Sequence, residues 1–552
     1  MSQIKNKNEK PLKLKIESVN SYGCGVAHSD DGRVMFVSGT VGGDEVTASV
    51  IKQEKNYSVC RLVSIDVSSP HRTDREFCGA PNACGGCTYR HMKYSYELET
   101  KKLTVEDAMR RAGISDRVTV SDVLSTGGEY GGYRNKVIYP VCKVKSGLRY
   151  GYYASGTHKV IPYSDCALTD PVMAPIASMA VSLADSLGID AYDENTGKGL
   201  LRHVYLRSGE ISGEVLVCYV INGSSLPFAD KIADRLCGAF GNIVGVLVNI
   251  NKKKTNVILG NEFYTVRGRD YITDTLLGKQ FEIQAAAFWQ VNRKGAEKLY
   301  STAYSLAQIS DKDTLIDLYC GIGSVGICAA DKAKRILGIE IVPQAVECAK
   351  KNAALNGITN AEYVCADASD SEAAIKSILT EEPDAIVMLD PPRKGCGDRL
   401  MNFIADMNVK KVLYISCNPY SLATDMKILL DRGYTATEVI PVDMFPRTGH
   451  IETVCLLSKL NTRQHIEVDI HMDELDLTDA EKKATYGEIK DYVLEHTGLK
   501  VSSLYIAQVK QKCGIIEREN YNKPKSEDAR QPQCPPDKEK AIKEALLHFG
   551  MI

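Results

Sequence analysis

Several things are missing from this 552-residue chain, and each absence removes a class of function. No uninterrupted apolar run is long enough to span a bilayer, which excludes a helical membrane protein. The first dozen residues are Lys- and Asn-rich and lack the apolar core of a secretory signal, so a cytoplasmic protein is expected. Net charge is only −2, too little excess to coat nucleic acid by bulk attraction, although a local basic groove remains compatible with it. There is no internal repeat. A reducing cytosol also denies the 18 cysteines a disulfide framework, so most are expected to be small buried hydrophobes. The exceptions to seek are clustered or turn-placed cysteines, where metal binding or thiolate chemistry is favoured.

The length implies several domains. Residues 12–66 alternate apolar and polar positions between turn signals such as Asp31-Gly32 and Gly42-Gly43-Asp44. This predicts a five-stranded barrel of the oligonucleotide-binding type, or another small β module. A Cys/Gly-rich loop follows, then a helix over Tyr94–Ala112, and a mixed region with strands at 150–153, 215–221 and 245–250. Residues 67–292 form the expected central α+β domain. From Gly295 a strand–helix rhythm sets in, with apolar runs at 314–318, 335–339, 363–365, 385–389, 412–415 and 453–457. That rhythm predicts an open, mainly parallel, Rossmann-like α/β sheet over 293–460. The remainder, 461–552, is an acidic extension with helices expected near 480–496 and 538–548. The fold class is therefore multidomain α/β.

Gly321-Ile322-Gly323-Ser324-Val325-Gly326 follows the first strand of that sheet and opens a helix, so Gly321 and Gly323 let backbone approach a ligand. Glu340 ends the next strand, placed to accept from ribose hydroxyls, and Asp367 ends the third, to reach adenine or to cap a helix. A nicotinamide oxidoreductase and a methyltransferase both use such a loop. Asp390-Pro391-Pro392-Arg393 after the fourth strand favours the methyltransferase, since acidic-Pro-Pro turns are typical of enzymes that methylate planar rings; a plain surface turn is the alternative.

Cys417, in Tyr414-Ile415-Ser416-Cys417-Asn418-Pro419, stands at the tip of the fifth strand, where such sheets bind ligands; Cys320 in the glycine loop is its rival. A thiolate there suits one reaction well. Sulfur addition to C6 of uracil places negative charge on C5, which then attacks a sulfonium methyl before a base removes the C5 proton. Glu452 is the candidate base and His450 the runner-up; a solvated strand end is the bland reading of both.

Five ordered segments then spell a family: 288–292 (Phe-Trp-Gln-Val-Asn), 317–323, 389–395, 414–419 and 450–454. Across about residues 12–459 the chain resembles the RNA uridine-5-methyltransferases, most closely the 23S ribosomal RNA (uracil-5-)-methyltransferases of the RlmD type. The resemblance implies S-adenosyl-L-methionine bound by Gln290, Tyr319, Glu340 and Asp390, with Cys417 as nucleophile and Glu452 as base. Ser324 departs from the asparagine of the transfer-RNA enzyme, which puts a cofactor contact there in doubt.

Cys78, Cys84, Cys87 and the distant Cys166 form the other cysteine set, and chemistry alone leaves zinc and iron–sulfur open. The resemblance implies a structural [4Fe-4S] cluster on these four, and makes residues 12–66 a TRAM RNA-binding barrel. Tyr133-Arg134-Asn135-Lys136 resembles a family segment in which Arg134 and Lys136 hold phosphate, with Tyr130 and Tyr133 placed to stack on bases; a solvated hairpin is the alternative. The expected partner is RNA, 23S ribosomal RNA before transfer RNA, bound by a monomer that has no membrane contact. A non-catalytic RNA-binding iron–sulfur factor is the rival that would leave Cys417 idle.

Overall fold

A computed structural model describes residues 11–73, 78–80, 83–127, 131–459, 486–513, 515 and 533–552. The chain divides into two compact units, 1–463 and 464–552. Among the described residues no helix is long and apolar enough to cross a membrane.

The N-terminal module is a curled six-stranded sheet rather than a five-stranded one. The additional strand is the two-residue Ser18–Val19, too short to announce itself by alternation. Every second residue of the longer strands points inward, giving a small core of Leu14, Ile16, Ala27, Met35, Val37, Val46 and Ala48. The helix Tyr94–Ala112 has the predicted bounds and closes with Gly113 in the left-handed conformation (φ 72°).

The central domain is built on a seven-stranded sheet. Leu201–Ser208 lies at its middle, paired antiparallel to Lys136–Val144 and to Val215–Ile221. Leu201–Ser208 and Val215–Ile221 are buried along their whole lengths, because the helices Met173–Ser186 and Ala229–Ala239 cover one face while the hairpin Tyr271–Leu276/Lys279–Gln284 and the core of the following α/β domain pack on the other.

The third sheet is the predicted open one. Ala361–Cys365, Arg335–Glu340, Thr314–Leu318, Ile386–Leu389 and Lys411–Ser416 run parallel in that spatial order, and Glu452–Ser458 adds antiparallel. The chain order reverses at Thr314–Leu318, which opens a crevice at the strands' C-terminal ends. Thr314–Leu318 has the expected limits, and the other strands differ from the expected runs by one or two residues at an end.

In the second unit, the helices Tyr486–Thr497, Ser503–Lys512 and Pro536–His548 enclose a core that includes Ile489, Val493, Ile506, Val509 and Ile542.

The cysteine expectation needs correction. All 18 are free, but only seven are buried; ten are half-buried and Cys365 is exposed. Cys78, Cys84, Cys87, Cys142 and Cys166 line cavities, while Cys237, Cys396 and Cys513 pack against the cores from their edges.

Candidate active site

The glycine loop is shaped by backbone that ordinary residues resist. Gly321 and Gly323 have φ of 56° and 82°, and a Cβ on Gly321 would meet only open space, as befits a wall facing a ligand. A Cβ on Gly323 would approach Ile327 to 2.9 Å. Tyr319, also left-handed at φ 66°, turns the chain out of its strand. Glu340 braces this loop: one carboxylate oxygen accepts from the Gly321 amide at 3.0 Å, and the other from the Val342 amide at 2.9 Å. Ser324, the departure from the family pattern, lies 3.3 Å from the Tyr300 hydroxyl.

Gln290 is buried, its carbonyl held by the Asn135 side-chain amide at 3.0 Å. Asp367 sits at the start of a short turn, its carbonyl accepting from the Ser371 hydroxyl at 2.6 Å. Sequence reasoning passed over Asp317 as a site residue although it lies in a quoted motif. It is buried below the loop, accepts from the Gly326 amide at 3.0 Å, and is pushed up to about 8 by burial and then by Asp390 and Glu340. Burial likewise pushes Asp390 up to about 7. Carboxylates held this close in an apolar crevice repel one another until a cation shares the space.

Cys417 follows the strand Lys411–Ser416, and Asn418 caps the next helix by accepting from the Tyr420 amide at 3.2 Å. Because Ser416 faces Thr453 across the antiparallel ladder, Cys417 and Glu452 are brought to the same strand ends. Burial, then Glu452 and Asp390, push the Cys417 thiol up to about 11, and Arg393 opposes them. Glu452 is almost fully buried, and burial and Asp390 hold its carboxyl well above the carboxylate range. Burial and Arg393, whose guanidinium lies 3.3 Å from its Nδ1, push the His450 imidazole down. Arg393 is thus the cation that Cys417, Glu452 and His450 share, a role that its place after Asp390-Pro391-Pro392 hints at and that was not read from the sequence. Cys320 is buried, its thiol pushed far up by burial, and is no competitor for a substrate.

Cys78, Cys84, Cys87 and Cys166 line one cavity of about 400 Å³, together with Arg134 and Lys136. The thiols feel each other: Cys87 is pushed up to about 12 by burial and then by Cys166, Cys78 and Cys84. Among the described residues, however, no three His, Cys, Asp or Glu side chains are gathered closely enough for a single metal ion. Lys136 is pulled down to about 8 by burial and by Arg207 and Arg134, which is not the state of a solvated hairpin lysine. Tyr133 donates to the Pro446 carbonyl at 3.0 Å, which occupies its hydroxyl in tying the central domain to the loop before Glu452. Tyr130 lies outside the described residues.

A thiol and a buried carboxylate at the C-terminal edge of a doubly wound sheet, beside a glycine loop and an Asp-Pro-Pro turn, define a methyltransferase of planar bases. Comparison with known proteins narrows this class. Residues 251–460 match the family model for tRNA (Uracil-5-)-methyltransferase. An RNA methyltransferase of Bacillus cereus is 38% identical over 80% of this chain and 95% of its own length. One of Listeria monocytogenes is 38% identical over 82% and 98%. The crystal structure of Pyrococcus abyssi tRNA (uracil-54, C5)-methyltransferase with S-adenosyl-L-homocysteine shares the fold, with a TM-score of 0.64 and 23% identity over 81% of this chain and all of that one. The chain belongs to the RNA (uracil-5-)-methyltransferase family and is an S-adenosylmethionine-dependent enzyme of that group.

Proposed function

We propose that this enzyme methylates C5 of a uridine in 23S ribosomal RNA, with Cys417 as nucleophile and Glu452 as base. The single observation that carries the mechanism is the meeting of these two side chains at adjacent strand ends, with Arg393 and Asp390 beside them. Arg393 favours the thiolate electrostatically, and the sulfur adds to C6 so that the C5–C6 π electrons move toward the C4 carbonyl. C5 then displaces the methyl group from the sulfonium of S-adenosyl-L-methionine. Glu452 in its ionised form, made a stronger base by its raised proton affinity, takes the C5 proton, the double bond reforms and the thiolate leaves. Gln290, Tyr319, Gly321, Gly323, Glu340, Asp367 and Asp390 form the cofactor's wall, and the acidic groups favour a positively charged sulfonium. The crevice admits only a base that is unpaired or flipped from its stack.

The curled sheet over residues 12–66 is read as the TRAM module, and Arg134 and Lys136 as phosphate contacts. Cys78, Cys84, Cys87 and Cys166 would hold a [4Fe-4S] cluster. What supports this reading is that the four thiols line one cavity and so offer the donor type such a cluster takes. Such a cluster would cross-link segments distant in sequence and thereby fix the central domain. The ribosomal assignment rests on the pairing of that cysteine set with the N-terminal module; the family description favours transfer RNA as the second reading.

The test is incubation with 5-fluorouridine RNA and methyl donor, since fluorine at C5 leaves no proton to remove. A covalent complex that Cys417→Ala abolishes is expected, whereas tight RNA binding without any complex would overturn the mechanism. Mapping 5-methyluridine in cells with and without the gene decides the substrate: loss from 23S RNA is expected, and loss from transfer RNA alone refutes that assignment.

A further inference from the structure

A groove of about 970 Å³ opens on the central domain, away from the cofactor loop. The paired strands Lys136–Val144 and Leu201–Ser208 connect the two places. Asn135 at one end holds the Gln290 carbonyl, while Val141 and Arg202–His203 at the other line the groove. Val141 lies five residue steps along the strand from Lys136, about 17 Å at about 3.4 Å each.

The groove is built around a buried cation. Arg202, 4% exposed, donates to the carbonyls of Asn251 at 3.0 Å and Lys253 at 2.9 Å, and its guanidinium lies over the Tyr192 ring at 4.5 Å. One side chain thus fixes the loop 252–256 as one wall and the turn 193–198 as the other. Asn251 closes the loop by donating to Val257 and Ile258 at 2.8 and 2.7 Å. Beside it His203, 3% exposed, is hydrogen-bonded to the Tyr153 hydroxyl at 3.0 Å, while its Nδ1 and the Arg202 Nε are buried without a partner. Burial and Arg202 pull His203 down to about 3, so the ring is neutral.

The charge lining the groove is unequally spent. Asp193 accepts from the Asn195 and Thr196 amides, and Glu194 from Arg202. Lys159 and Lys254 line the groove, are exposed, and have no ion pair among the described residues; Lys252 and Lys253 flank them. Tyr153 presents an aromatic surface next to His158, with ring centroids 5.8 Å apart. Uncommitted ammonium groups beside aromatic faces in an open groove match a phosphodiester strand whose bases are unpaired. Ile258 lines both this groove and the cysteine cavity, so the two adjoin, and Val291, next to Gln290, lines the second.

We propose that this groove is a second RNA subsite, holding an unpaired stretch of the substrate a few nucleotides from the target uridine. Lys159 and Lys254 take phosphates, and Tyr153 with His158 stacks on a base. The proposal rests on the RNA-methylating reading above and adds where the flanking strand runs.

The test uses the full-length protein and a single-stranded oligoribonucleotide carrying 4-thiouridine, photo-cross-linked and mapped by mass spectrometry. Cross-links on peptides containing Tyr153, His158 or Lys254 are expected, and cross-links confined to other regions overturn the proposal. In parallel, Lys159→Glu with Lys254→Glu should weaken binding of the same oligonucleotide at least tenfold. It should also flatten the log–log salt slope by about 1.4, at about 0.7 per lost phosphate contact on a single strand. An unchanged slope in a variant with the wild-type unfolding midpoint refutes the subsite. Uridine monophosphate that fills the groove without competing with the oligonucleotide would mean free nucleotides are the ligand, and also refutes it. Groove cross-links combined with no covalent 5-fluorouridine complex would retain this site while sinking the catalytic reading.

Discussion

The Asn418 side-chain amide donates to the Arg393 carbonyl at 2.8 Å, tying the turn that carries Cys417, the proposed nucleophile, to the Asp-Pro-Pro-Arg loop. The same side chain caps the helix Pro419–Asp431 through its oxygen. Asn418→Ala removes both bonds. Loss of the cap should cost about 1 kcal/mol of stability, read by chemical denaturation. Loss of the inter-loop tie lets Cys417 drift from Arg393 and the methyl donor, and a displacement of about 1 Å costs about a hundredfold in rate. A single-turnover rate that falls no further than the stability loss explains would show that the tie has no positioning role.

Arg393 should set the pH dependence of Cys417. Its guanidinium opposes the raising effects of burial, Glu452 and Asp390 on a thiol that stands at about 11. Arg393→Met removes that opposition, so the thiol rises further and the thiolate fraction at any neutral pH falls. The rate of Cys417 alkylation should climb with pH in both proteins, with the variant's curve displaced to higher pH. A displacement in the other direction, or none, would remove Arg393 from the activation of sulfur.

The sequence made the candidate site's edge legible because each part is local. A glycine loop, an Asp-Pro-Pro turn and a cysteine before Asn-Pro are short runs whose chemistry can be read without knowing their neighbours, and parallel strands then bring their ends together. What was not legible depends on segments far apart. Lys101 meets Asp443 across 342 residues of chain, and Lys136 looks like a solvated lysine until Arg207 and Arg134 are seen around it. The count of N-terminal strands failed for another reason. Ser18–Val19 is too short to alternate, and its pairing with Cys24–His28 is set by the turn between them.

The buried triad of Glu97, Lys101 and Asp443 should hold the segment that leads to Glu452. Lys101 donates at 2.8 Å to Glu97 and at 2.6 Å to Asp443, and also reaches the Phe445 carbonyl. Glu97 in turn accepts from the Arg447 amide, whose φ of 69° needs support. Lys101→Met leaves two carboxylates buried without their shared cation and should destabilise the fold by about 3–5 kcal/mol. The readout is the unfolding midpoint of the unit 1–463 within the full chain. A loss below about 1 kcal/mol would place the triad among replaceable contacts.

The four-cysteine cavity predicts iron together with acid-labile sulfide in protein purified without oxygen. Cys87→Ser should remove most of both and loosen the central domain, seen as faster proteolysis between residues 78 and 166. Stoichiometric zinc without sulfide would overturn the cluster reading and leave the catalytic edge unaffected.

Glu452→Gln separates the two halves of the reaction. In the proposed mechanism the thiol adds to C6 and the methyl group transfers to C5 before any proton leaves C5, so the variant should still complete both steps. Elimination then needs a base, and a glutamine amide cannot accept the proton. The expected result is an RNA–protein adduct on ordinary, unfluorinated uridine RNA, already methylated and stable to denaturing electrophoresis. Turnover should fall by about a hundredfold to ten-thousandfold, the usual range for removing a general base. His450 stands nearby as the other candidate, although burial and Arg393 push its imidazole down and so weaken it as a base. If Glu452→Gln turns over freely while His450→Ala traps the adduct, the base is the imidazole and Glu452 serves only to shape the thiol's surroundings.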